Sequence, residues 1–134
     1  MDLFMRFLLP FVAALLAGAC ATNEPIHDVS DAPIIAPAGA SLSMGEVRAA
    51  IERAGRSLGW QLLAERPGMF SGRLALRSHV AVVEIEHDAK SYSIRYRDSI
   101  NLDAAGGQIH RAYNQWIEKL DRAIRAELER PRQL

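Results

Sequence analysis

The stretch VAVVEIEHDAKSYSIRYRDS, residues 80–99, alternates apolar and polar side chains on both sides of a short polar break. Alternation with a period of two is typical of strands that bury one face and expose the other. A turn within the break would place Ile85 opposite Ile94, and an acidic side chain opposite Arg95. A shift of one residue would move every apolar side chain to the wrong face. The stretch therefore predicts an antiparallel hairpin with one apolar face and one charged face.

The preceding stretch WQLLAERPGMFSGRLALR, residues 60–77, repeats this alternation on both sides of a Pro-Gly turn signal. It predicts two more strands of the same sheet. A turn at Ser78 and His79 would join them to the hairpin and pair Arg73 with Glu84. The result is a four-stranded antiparallel meander.

Helical periodicity flanks the meander on both sides. Ser43 and Glu46 form a capping box, and the apolar spacing that follows predicts a helix over residues 44–58. A longer amphipathic pattern predicts a second helix over residues 107–129. One apolar sheet face and two apolar helix stripes predict an α+β two-layer sandwich of order αββββα, with both helices on one face of the sheet.

The N-terminal sequence MDLFMRFLLPFVAALLAGAC joins a short apolar run to small residues and the only cysteine of the chain. The apolar run is shorter than the roughly 20 residues that span a bilayer. The sequence resembles a bacterial lipoprotein signal peptide, residues 1–19, followed by a lipidated Cys20. In such proteins an Asp after the cysteine favours the inner membrane, so Ala21 implies the periplasmic side of the outer membrane. The alternative is ordinary secretion with an unmodified Cys20.

Residues 20–42 contain three prolines among small residues and show no helix or strand period. They predict a flexible tether that starts at the lipidated Cys20. The folded domain is then expected over residues 43–130, with a short tail at 131–134.

Composition excludes some classes of function. Sixteen basic and sixteen acidic residues cancel, whereas a nucleic-acid binder usually carries a strong basic excess. One cysteine cannot form an internal disulfide, and the Cys and His spacing fits no structural zinc site. The sequence therefore predicts no nucleic-acid partner, no metal and no cofactor.

The segment YSIRYRDSINLDAAGGQIHRAYNQWIEKL, residues 92–120, carries a Ser-x-Asn-Leu loop before an Ile-His-x-x-Tyr-Asn-x-Trp-Ile helix. It resembles the C-terminal motif of a family of small, uncharacterised proteobacterial lipoproteins. The resemblance supports the envelope localisation and implies no particular activity.

The same motif supplies the first candidate site, which consists of Asn101, His110, Tyr113 and Asn114. In one interpretation His110 and Asn114 form hydrogen bonds with the loop at residues 99–102 and fasten it to the helix. In the other, the four side chains bind a small ligand or act in an enzyme. No catalytic residues are predicted, because the serines lack a nucleophile motif and neighbouring arginines would keep the acidic pair on the sheet ionised.

A second candidate surface is the charged face of the sheet, formed by Arg73, Arg77, Glu84, Arg95 and Arg97. Its positive excess could bind a protein or an anionic cell-wall polymer. A third is the edge of the first predicted sheet strand near Leu63 and Glu65, which could pair with a strand of a partner. Together these features predict a non-enzymatic envelope lipoprotein, with membrane contact through its lipids and a protein or cell-wall partner.

Overall fold

A computed structural model describes residues 22–131 of the chain. The predicted signal peptide and Cys20 lie outside the described residues, as do residues 132–134 of the predicted tail. The secondary-structure elements, in chain order, are β1 (Asn23–Pro25), β2 (Val29–Pro33), α1 (Met44–Ser57), β3 (Gln61–Arg66), β4 (Met69–Leu76), β5 (His79–His87), β6 (Ser91–Ile100), β7 (Gln108–His110) and α2 (Arg111–Leu128).

The α+β prediction is confirmed. Five antiparallel strands form one sheet in the order β2-β6-β5-β4-β3, and β1 pairs with β7 in a separate two-stranded sheet. The predicted meander corresponds to β3 through β6, so the sheet has one strand more than expected. The two helices pack against each other, and their apolar stripes share one core with the inner face of the sheet.

The inner sheet face carries the side chains that the alternation assigns to it. Phe70, Val83, Ile85 and Ile94 are all buried there. Each fully buried aliphatic or aromatic side chain contributes on the order of 2 kcal/mol to folding. The core is completed from the helices by Ile51, Tyr113, Ile117, Leu120 and Ile124, among others.

The two predicted hairpin registers have different outcomes. The β5–β6 register is confirmed, with Ile85 opposite Ile94. The β4–β5 register is wrong by two residues, because the turn lies at Arg77 and Ser78 and Arg77 adopts a left-handed φ of 57°. Arg73 therefore lies opposite Val82 rather than Glu84. Since the error is an even number of residues, every side chain keeps its predicted face.

The tether prediction is wrong for much of residues 20–42, because β1 and β2 lie within it. Val29 and Ala32 are both buried, although residues three positions apart in a regular strand point to opposite faces. A bulge between these residues allows this spacing, and Asp31 within it has a φ of 47°. The Asp31 amide donates a hydrogen bond of 2.9 Å to Ser93 Oγ. The folded unit therefore begins well before residue 43.

Both helices have the caps that set their first residues. Ser43 Oγ accepts a hydrogen bond from the Glu46 amide at 3.2 Å, which confirms the capping box of α1. The second helix starts at Arg111, later than predicted, because residues 108–110 form β7. His110 Nδ1 accepts from the Ala112 amide at 3.1 Å and caps this helix.

Candidate functional site

Asn114, a buried residue of the first candidate site, binds the N-terminal segment. Its Oδ1 accepts a hydrogen bond from the His27 amide at 3.0 Å. Its Nδ2 donates to the Pro25 carbonyl at 2.9 Å and to Glu24 Oε2 at 3.1 Å. The prediction that this side chain fastens the loop at residues 99–102 is therefore wrong. It holds the segment that the sequence assigned to a tether.

The other residues of that candidate site point in different directions. The His110 amide donates to the Leu102 carbonyl at 2.8 Å, so the loop is fastened through the main chain. Asn101 Nδ2 donates to Ser78 Oγ at 2.9 Å and supports the β4–β5 turn. Tyr113 is fully buried, and its hydroxyl has no hydrogen-bond partner within residues 22–131. These contacts favour structural roles over a shared ligand site.

A groove lies at the end of the domain away from the start of α2. It is formed by the start of α1, the β3–β4 turn and the end of β5. Its volume is about 460 Å³. We call it the His87 groove; its principal lining residues are Met44, Arg48, Ala64, Gly68, Phe70 and His87. Ligand sites in proteins commonly have volumes of about 300–1,000 Å³ and mostly apolar walls with a few polar groups. The His87 groove fits that description.

His87 is the unusual side chain of the groove. It is only 7% exposed, and its ring stacks on Phe70 with centroids 5.2 Å apart. Neither ring nitrogen has a hydrogen-bond partner among the described residues. Burial lowers the pKa of His87, and the positive charge of Arg48 lowers it further. The main chain of Ile85 acts in the opposite direction, although it does not form a hydrogen bond with the ring. A buried imidazole without a hydrogen-bond partner is costly, and groups with a shifted pKa cluster at functional sites.

A second, polar hollow of about 290 Å³ adjoins the groove and shares His87 and Met44 with it. Its polar lining consists of Asp31, Arg66, Glu86, Asp88, Ser91 and Ser93. Three carboxylates give this hollow a negative character, which is reduced by Arg66 and by Arg95, whose guanidinium contacts Glu86 at 2.9 Å. Hydrogen bonds from the amides of Lys90 and Ser91 hold the pKa of Asp88 below its usual value, which keeps this carboxylate charged.

Gly68 shapes the wall between the groove and the polar hollow. Its φ is 79°, a region that side-chain-bearing residues rarely adopt. A Cβ at this position would lie 2.9 Å from the His87 carbonyl oxygen and 3.1 Å from the Met44 methyl group. The Gly68 carbonyl also accepts the His87 amide at 2.9 Å. Only glycine allows the turn to approach the end of β5 so closely.

The charged face is the outer face of the sheet, as predicted, and its ion pairs are partly exposed. Arg97 contacts Glu65 at 2.7 Å, and Arg95 contacts Glu86 at 2.9 Å. The hydrogen bond and charge of Arg95 lower the pKa of Glu86. Exposed pairs of this kind contribute little to stability.

The remaining residues of that face are less constrained. Glu84 reaches Arg97 only at 3.9 Å. Arg73 and Arg77 are exposed. Their guanidinium groups make none of the ion pairs found within residues 22–131. This half of the face is therefore the more open to an anionic partner.

The third candidate surface is the outer edge of β3. This strand is the last of the sheet and pairs with β4 alone in the part of the chain that the structure describes. Leu63 on this strand is 68% exposed. The bulge next to Glu65 interrupts the end of the strand, as edge strands often show.

Sequence reasoning missed the His87 groove. His87 falls on the apolar face of its strand, where the alternation indicates a boundary residue and gives no sign of a cavity. The only signal in the sequence was that His87, a titratable residue, shares a strand face with apolar residues. Within residues 22–131, no helix is long and apolar enough to span a membrane, and no three His, Cys, Asp or Glu side chains are grouped to hold a metal ion. Comparison with models of protein families, with curated proteins and with solved structures finds no match to this chain.

Proposed function

We propose that this protein is a non-enzymatic lipoprotein of the bacterial envelope whose domain binds a segment of a partner protein in the His87 groove. Lipids on Cys20 hold it on the periplasmic side of the outer membrane. The observation that carries the binding role is the buried His87 ring, which lacks hydrogen-bond partners within the described chain and lies beside an apolar groove. The signal-like N-terminus supports the localisation.

The two halves of the site favour a polypeptide segment with contrasting side chains. The groove offers the rings and methyl groups of Phe70, Met44 and Met69 to one apolar side chain. The adjoining hollow offers carboxylates and hydroxyls to a polar or basic group. The His87 ring lines both halves of the site, and its two buried nitrogens have no hydrogen-bond partner among the described residues. Such a site recognises an apolar residue next to a basic one.

The charges of the site do not favour acid–base catalysis. A general acid needs a pKa near the working pH, but Arg95 lowers the pKa of Glu86 and keeps this carboxylate ionised. The Asp88 carboxylate is committed to the amides of the β5–β6 turn. Binding without chemistry is therefore the simpler role.

The binding site is tested by placing a photo-crosslinking amino acid at Ala64, an exposed wall residue of the groove, in the cell of origin. Ala75 is a matched control, since it is an exposed alanine on the outer face of β4. We expect a discrete cross-linked adduct from position 64, absent from position 75. Adducts from position 75 and none from position 64 would contradict the groove and favour the charged face. The Met44→Lys substitution should abolish the adduct at position 64 while the domain stays folded.

The anchor is tested separately by the Cys20→Ser substitution. The lipidated protein is expected in the membrane fraction after a carbonate wash, and the variant in the soluble fraction. A variant that stays in the membrane fraction, or a processed wild-type protein whose mass shows a bare thiol, would contradict lipid anchoring.

Strand addition at β3 is a second candidate. The observation that favours it is the position of Leu63, which is largely exposed on a strand paired on one side only within residues 22–131. Edge strands present main-chain donors and acceptors to a partner strand. The test places a photo-crosslinker at Leu63 and, separately, at Ala64. A partner captured from position 63 but not from position 64 would identify the edge of β3, and not the groove, as the binding surface.

A further inference from the structure

The described chain begins at one particular end of the domain, next to the first turn of α2. The Arg111 amide donates a hydrogen bond of 2.8 Å to the Thr22 carbonyl, and Asn23 pairs with His110. Cys20 precedes Thr22 by two residues. Because consecutive Cα atoms are about 3.8 Å apart, the two peptide links that join Cys20 to Thr22 can span no more than about 8 Å. A lipid on Cys20 would thus start very close to this end of the domain.

The same end carries exposed apolar side chains, which we call the anchor end: Leu58, Leu76, Ile100 and Trp116. Leu58, Leu76 and Ile100 are 37%, 49% and 58% exposed. Leu58, Leu76 and Trp116 line a hollow of about 190 Å³. Trp116 is partly buried, and Lys119 lies beside it.

A continuous series of contacts places these residues at the end where Thr22 lies. The His110 amide binds the Leu102 carbonyl at 2.8 Å, and the adjacent Asn101 carbonyl lies 2.7 Å from His79 Nδ1. The His79 ring in turn lies 6.5 Å from the ring of Trp116. The helices are antiparallel, because Leu58 after the end of α1 lines one hollow with Trp116, whereas Glu46 in the first turn of α1 lines another with Leu128 at the end of α2. The last turn of α1, with Leu58, therefore lies beside the first half of α2.

We propose that the anchor end rests on the bilayer that holds the lipids of Cys20, with Leu58, Leu76 and Trp116 at the level of the lipid headgroups. This inference rests on the proposed lipidation. Tryptophan favours the membrane–water interface, where its ring is apolar and its N–H can form a hydrogen bond. This end carries the exposed cations Arg77, Arg111 and Lys119 as well as the exposed acids Asp98 and Asp103, so the contact with the bilayer rests mainly on the apolar side chains. The short connection to Cys20 brings this surface to the membrane.

The orientation has a consequence for the His87 groove. Met44, a groove residue, starts α1, and Leu58 follows its end. A helix of 14 residues is about 21 Å long at about 1.5 Å per residue. With α1 perpendicular to the bilayer, the groove at its start would lie about 20 Å from the headgroups, where a partner in the periplasm can reach it.

The test uses the processed, lipidated protein in vesicles of phosphatidylethanolamine and phosphatidylglycerol whose acyl chains are brominated near the headgroup. With Trp60→Phe, Trp116 is the only tryptophan. A comparison protein carries Trp60→Phe, Trp116→Phe and Ile35→Trp, which puts the reporter at an exposed site far from the anchor end. We expect at least about twofold stronger quenching of Trp116 than of the reporter at position 35. Equal quenching, or none at either position, would overturn the orientation.

A second measurement avoids any change at the tryptophans. A nitroxide is attached to Leu76→Cys or, as a control, to Leu63→Cys, which is 68% exposed on β3; a lipidated Cys20 cannot react with the label. We expect the label at position 76 to be protected from a water-soluble relaxation agent and the label at position 63 to remain accessible. Equal accessibility would refute the contact.

Intact mass separates the two proposals. Acylated protein with no difference between the positions would refute the orientation and leave the anchor in place. A bare thiol at Cys20 would refute the anchor and, with it, the orientation.

Discussion

Replacing Asn114 by alanine should release the N-terminal segment from α2 and destabilise the domain measurably. The Asn114 side chain is 6% exposed and makes three hydrogen bonds, two of them to the main chain of His27 and Pro25. The third, to the exposed Glu24, contributes less. The substitution therefore removes the only side chain of α2 that bonds these main-chain groups.

The magnitude follows from the two main-chain bonds. Each contributes about 1 kcal/mol net, and a partner group left without a hydrogen bond adds to the loss when it is partly buried. Alanine is the better helix former by about 0.6 kcal/mol, which offsets part of the loss. We expect the free energy of unfolding of Asn114→Ala to be about 2 kcal/mol lower than that of the parent.

Urea denaturation measures this change, and amide hydrogen exchange locates it. The His27 amide should lose its protection, whereas the Ile85 amide in the central strand should exchange with global unfolding only. The control is Gln115→Ala on the exposed side of the same helix, for which a change within about 0.5 kcal/mol is expected. An Asn114→Ala protein as stable as this control, or a His27 amide still protected, would refute the reasoning.

Three further predictions concern the groove and the first helix. The free energy of unfolding should fall as the pH drops below about 6.5, because burial lowers the pKa of His87 in the folded protein and the unfolded chain then binds one proton more. The His87→Phe substitution should weaken this dependence, measured by urea denaturation between about pH 5 and pH 7. An unchanged dependence on pH would contradict the prediction. Gly68→Ala should cost about 2 kcal/mol or more, because the left-handed backbone and the nearby His87 carbonyl both oppose a Cβ; a variant melting with the parent in calorimetry would disprove the strain. Ser43→Ala should cost about 1 kcal/mol through the lost helix cap, and thermal denaturation with Ser57→Ala as comparison measures it.

Part of the fold could be predicted because it depends on patterns of neighbouring residues in the sequence. The alternation in residues 80–99 set which side chains enter the core, and the β5–β6 pairing followed from it. The capping box at Ser43 marked the start of α1. The two-residue error at the β4–β5 turn arose because Arg77 adopts a left-handed conformation that its residue type does not signal.

The N-terminal strands could not be predicted from their own residues. Pro25 and Pro33 end strands that lie at sheet edges, where a missing N–H is tolerated. The bulge at Asp31 breaks the period of two and still buries Val29 and Ala32. Hydrogen bonds from β6 and from Asn114 stabilise this segment. Both partners lie far away in the chain, so the sequence of the segment does not indicate them.

The sequence by itself determined the α+β class, the two faces of the sheet and the apolar stripes of both helices, because these depend on the spacing of side chains along a single strand or helix. Only the tertiary structure decided which distant residues meet. It placed His87 between the start of α1 and the β3–β4 turn, and it brought Leu58, Leu76 and Trp116 to the end where Thr22 lies. Such sites arise where elements far apart in the chain pack together, so no local periodicity records them.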